Sequence, residues 1–219
     1  MQAVLILAVG IFRSRIATEA PFPMPNQEKQ LSEEAFISAC PTYRKDSEPT
    51  EDQLKFICKG TCQMRGRLKD LAQVAVPLFY KLIQGVHHTH RNRLQYKKLI
   101  ANDAYLYEDP DNLVGIWFAP LLFTIIQKMW FKREEDDGIK FSQYFHPEIS
   151  MQTIALTFTA VQCALDEWND SIHRPHAFKI YCPIYKTLLF ILNVLNSNPE
   201  QEEVLHSLGT EFWESGSSL

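Results

Sequence analysis

Prolines cut this chain into stretches in which large apolar side chains return every three or four residues, and a helical bundle is the fold that suits both signals. Twelve prolines stand among 219 residues. Between them the apolar positions follow the period of a helix facing a core, not the alternation of a strand. A proline within a helix removes one backbone bond and collides with the preceding turn, so each one marks an end or a first turn. The spacing predicts helices over residues 1–18, 28–40, 51–84, 87–100, 119–131, 150–168, 181–195 and 199–208, with a short aromatic helix at 141–145. Thr50 followed by Gln53 has the form of a capping box for the third. Pro77 lies inside that helix and predicts a kink or split near Val76. Residues 103–115 read as irregular, with Tyr105, Leu106 and Tyr107 against the core. The expectation is an all-α, single-domain multi-helix bundle with proline-punctuated loops over residues 1–208, and a flexible tail at 209–219.

The length suffices for one sizeable core. Five cysteines, an odd number set in apolar helical stretches, do not read as a disulfide framework. They are expected to be buried thiols in a reducing, intracellular compartment. Residues 3–12 have the length of a signal-peptide core, but no basic residue precedes them and Arg13 and Arg15 follow, the reverse of secretory polarity. A core helix is the expectation, with Ala17 and Ala20 keeping a cleaved leader open as the minor alternative. No membrane-spanning segment is expected: residues 113–126, the most apolar candidate, fall short of the roughly 20 residues needed.

Charge is unevenly distributed. Residues 53–100 hold ten basic side chains against one acid, Asp70, while the chain as a whole is at −4. Lys55, Lys59, Arg65, Arg67, Lys69, Arg91, Arg93, Lys97 and Lys98 make a candidate binding patch for a phosphate backbone or an acidic surface, provided they share a face. The competing reading is internal: basic helices packed beside acidic ones, with Arg65 or Arg67 pairing Asp166 or Glu167. Asp166, Glu167 and Trp168 close an apolar helix. Adjacent carboxylates there diverge by about 100° and cannot face one substrate together, so the three read as a structural clasp. His87, His88, His90, His173 and His176 lack paired metal-ligand spacing and are expected in exposed loops. Cys58 and Cys62, at i and i+4, are expected to fill a core interface. With no Gly-rich phosphate loop and no nucleophile elbow, neither cofactor nor metal nor catalytic residue is assigned. The leading expectation is a non-catalytic helical interaction module with a protein partner, away from membranes; the alternative is a nucleic-acid-binding module using residues 53–100.

A resemblance adds to this reading. Met129–Trp130–Phe131, Asp137–Gly138–Ile139–Lys140, Tyr144–Phe145–His146–Pro147, Ala164–Leu165–Asp166–Glu167–Trp168 after an apolar helix, and Tyr181–Cys182–Pro183–Ile184–Tyr185 resemble an uncharacterised helical domain found in many hypothetical proteins of mushroom-forming fungi. Ala17–Thr18, Pro21–Phe22–Pro23 and Arg65–Gly66–Arg67–Leu68–Lys69 agree with it. In that family of unknown function a small residue and a glycine usually follow the tryptophan. Asn169–Asp170 stands there in this chain, which implies a differently shaped loop. The resemblance implies one helical fold, an intracellular location, and no activity.

Overall fold

Caps and prolines set the helix ends in the computed structural model, which describes residues 1–44, 47–170, 173–197, 206–211 and 213–214. Helix α1 (Gln2–Thr18) ends ahead of the Pro21–Pro23 turn. Helix α2 (Pro25–Ala39) begins three residues before the expected start, because Pro25 takes its first turn. The capping box of α3 (Glu51–Phe79) is complete. The Gln53 amide donates to Thr50 Oγ1 at 3.3 Å, and the Thr50 amide donates to Gln53 Oε1 at 2.8 Å. The break expected near Val76 falls later: α3 runs on through Pro77 and ends at Phe79. Pro77 therefore sits in the last turn, and the backbone bond it removes, to the carbonyl four residues earlier, is one of the last in the helix.

Helix α4 (Thr89–Ile100) follows a single 3₁₀ turn at Val86–His88. Next comes a small antiparallel pair that the sequence pattern did not disclose, β1 (Tyr107–Asp109) and β2 (Val114–Ile116), with Tyr107 opposite Ile116. Asp109 Oδ1 accepts from the Asp111 and Asn112 amides at 2.9 and 3.2 Å, which closes the turn between the strands. Helices α5 (Pro120–Trp130), α6 (Asp137–Lys140), α7 (Met151–Asp166) and α8 (Cys182–Asn196) complete the bundle. The aromatic helix expected at 141–145 is only a 3₁₀ turn at Ser142–Tyr144, and the helical turn of α6 comes before it.

Helix α7 is the centre. Twelve of its sixteen residues are buried, and it packs against α3, α8, α1 and α5. Its threonines stay satisfied there. Thr157 and Thr159 donate back to the carbonyls four residues earlier at 2.8 and 2.7 Å, and Thr153 donates to the Ala17 carbonyl at 3.0 Å. Close approach decides one glycine. A Cβ on Gly138 would lie 2.5 Å from the Trp130 carbonyl oxygen, so α6 can sit on the end of α5 only with glycine there. Two contacts reach past Leu208: the Ile149 amide donates to the Gly209 carbonyl at 3.0 Å, and Trp213 meets Phe131 edge to face. Residues 198–205 and 215–219, which hold most of the expected last helix and the end of the expected tail, lie outside the described residues.

Candidate functional site

Where α7 ends, two adjacent carboxylates turn to opposite neighbours. Glu167 is buried and faces α3. Lys69 Nζ lies 2.9 Å from its Oε1, and the Gln73 side-chain amide, one turn along, donates to both oxygens at 2.9 and 2.7 Å. His173 Nε2 stands 2.9 Å from Oε2, and the His176 backbone amide donates to Oε1 at 2.8 Å. Burial pushes the Glu167 carboxyl up, but the His176 amide, Lys69, Gln73 and His173 together outweigh it and hold the group below the usual carboxylate range. Asp166 faces the other way. It accepts from the Tyr96 hydroxyl at 2.9 Å and the Tyr181 hydroxyl at 3.1 Å, and Tyr181 also meets His176 Nδ1 at 2.8 Å. Burial raises Asp166, with the two hydroxyls opposing. Trp168 is buried, its ring 5.5 Å from that of His173.

These contacts correct three expectations. Glu167 is paired by Lys69, not by Arg65 or Arg67. His173 and His176 are half-buried members of the cluster rather than free loop residues. Cys62 is exposed and Cys58 only half-buried, so they do not fill a core interface together.

The basic segment divides between its two helices. On α3, Arg65 lies over the Phe22 ring at 5.1 Å. Arg67 pairs with buried Asp136 at 3.1 Å, and Lys55 stands 3.8 and 3.7 Å from Glu51 and Asp52. Lys59 is exposed. On α4, Lys98 pairs with Asp111. Arg91, Arg93 and Lys97 are exposed and take part in none of the ion pairs among the described residues. The nine residues of the candidate patch therefore do not act as one.

The profile of a family described as Domain of unknown function (DUF6532) matches residues 7–195. The chain belongs to that family. No curated protein and no solved structure matches it. The matched range runs from α1 into α8 and takes in every residue of the cluster, so the carboxylates and their partners are part of the family's domain.

Two further surfaces of this family member matter. Only Asn92 and Leu99 of α4 are buried, and Asn92 clamps the preceding turn: its Nδ2 donates to the Ile83 carbonyl at 2.7 Å and its Oδ1 accepts the Ile83 amide at 3.2 Å. Between α4 and the turn after α7 lies a cleft of about 270 Å³, lined by Arg93, Tyr96, Lys97, Asn169 and Asp170. Helix α8 turns Tyr185, Leu188 and Leu192 inward and leaves Phe190 68% exposed and Val194 52% exposed. One stretch, Phe178–Asn196, is long and apolar enough by composition to cross a membrane, which the expectation of no such segment overlooked. Among the described residues no group of three or more His, Cys, Asp or Glu side chains is placed to hold a metal ion.

Proposed function

We propose that this domain is a non-catalytic interaction module that docks a protein partner on the outward face of α8. The observation that supports it most is the exposure of Phe190, Ile191 and Val194 on one side of a helix whose other side is built into the core. Large side chains at this spacing on an ordered helix form an anchor of the kind that protein partners cover. The polar cluster at the end of α7 fits the same reading, because its carboxylates are spent on holding α3, α4 and the turn before α8 together. An intracellular location belongs to this proposal and draws support from five free thiols.

The test is a photo-crosslinking amino acid placed at Phe190, with the same group at Ile37, 59% exposed on α2, as control. A discrete protein adduct at 190 and none at 37 is expected. Adducts of the same pattern at both positions, or transfer to lipid instead of protein, would contradict the reading. A nucleic-acid-binding module is the second reading, and exposed Arg91, Arg93 and Lys97 favour it. On that reading a mixed-sequence duplex binds at low salt and releases steeply as salt rises.

A further inference from the structure

We propose that the cleft between α4 and the turn after α7 is a binding site for a nucleoside monophosphate. Each wall supplies one part of that chemistry. Arg93 and Lys97 are four residues apart on one helix, so they rise side by side from the same face. Both are exposed and neither is drawn to an acid among the described residues. Two neighbouring cations with free donors suit a single phosphate group. Opposite them stand Asn169 and Asp170, which present acceptors. Asp170 is shared with Arg174 at 3.1 Å, and its side chain remains 60% exposed. An acid beside two cations disfavours a bare anion. It favours a ligand that brings hydrogen-bond donors along with its phosphate, as sugar hydroxyls and a base amino group do.

Tyr96 is the third wall, and it is built in. Its hydroxyl is bonded to Asp166, whose other oxygen is taken by Tyr181. A ring tethered at its far end to a buried carboxylate keeps its place whether or not a ligand is present, so a base that stacks on it meets a preformed surface. Size sets the upper limit. About 270 Å³ lies just below the usual range of ligand pockets, which limits the occupant to a single nucleotide that stays partly in solvent.

This site is separate from the α8 docking face. It shares Arg93 and Lys97 with the polyanion reading, and Arg91 tells the two apart because it lies outside the cleft. The experiment is calorimetric titration of the full chain with AMP, with adenosine and inorganic phosphate as the two halves of the ligand. The expectation is that AMP binds at least about tenfold more tightly than either half. Arg93→Ala with Lys97→Ala should abolish AMP binding while leaving the melting temperature in place, since both side chains are exposed. Asp170→Asn should weaken AMP and strengthen phosphate. Arg91→Ala should weaken duplex binding and leave AMP unchanged. Equal affinity for phosphate and AMP, no heat with AMP, or AMP binding that survives the double substitution would each overturn the proposal.

Discussion

Helices α3 and α4 carry one continuous run of positive charge in the sequence, and the fold puts the two halves to opposite uses. On α3 three cations are built into the domain, while Lys55 and Lys59 stay at the surface: Lys69 reaches buried Glu167, Arg67 reaches buried Asp136, and Arg65 covers Phe22. On α4, a helix with two buried residues, Lys98 pairs with exposed Asp111 and Arg91, Arg93 and Lys97 stay in solvent. The difference teaches that a count of charges along a chain says little about a binding surface until each has been set against the acids within reach. Depth decides the energetics. Breaking a pair whose acid is buried strands a charge away from water, whereas trimming an exposed arginine strands nothing.

The contrast breaks first, if it breaks, at Glu167. Glu167→Ala leaves Gln73 and the His176 amide without their acceptor and Lys69 with only the His176 carbonyl, and should cost about 3–5 kcal/mol in urea unfolding; a loss below about 1 kcal/mol would place α3 with α4. Arg67→Ala should cost less, roughly 1.5–3 kcal/mol, because Arg133 and its own backbone amide still donate to Asp136 at 3.3 and 3.0 Å.

Acid unfolding sharpens the same point. The Glu167 carboxyl lies below its ordinary range in the fold, so its contribution is present above that range and is lost as pH falls through the lowered value. Asp166 lies above its ordinary range and acts with the opposite sign, losing stability as pH rises between its unfolded and folded values. Unfolding midpoints taken across the acid range should therefore show a flatter acid limb for Glu167→Gln and a shallower decline on the rising side for Asp166→Asn. Smallest of all in stability is α4. Removing Arg91, Arg93 and Lys97 together should cost no more than about 0.5 kcal/mol per site. If the duplex reading holds, the same variant lowers the salt slope of binding by about one for each cation removed.

Local features were legible in the sequence. Thr50 and Gln53 announce the start of α3 because a capping box needs only four neighbouring residues. Pro120 and Pro183 mark the first turns of α5 and α8 in the same way. The apolar run that became α7 was equally plain. From local spacing Pro77 reads as a break inside a longer helix, because the end at Phe79 depends on the turn that follows, where Lys81 takes a positive φ and the Leu82 amide donates to the Pro77 carbonyl. The partner of Glu167 was not legible, for a rotational reason. Lys69 and Gln73 lie on one row of α3, and Arg65, a turn earlier on that row, comes to Phe22 instead. Arg67 lies on another side and finds Asp136. Which row meets α7 is set by packing between helices more than seventy residues apart, and no local spacing carries it. The β1–β2 pair was missed because three residues are too few to show alternation, although Asp109–Pro110–Asp111–Asn112 carries turn chemistry.

The division of charge between α3 and α4 is tested most directly by a double-mutant cycle on Lys69 and Glu167, with Lys69→Met, Glu167→Gln and the pair together followed by urea denaturation. The account predicts a coupling energy of roughly 1–3 kcal/mol between the two sites. A coupling indistinguishable from zero would mean that Lys69 is as free as the arginines of α4, and the contrast between the two helices would be gone.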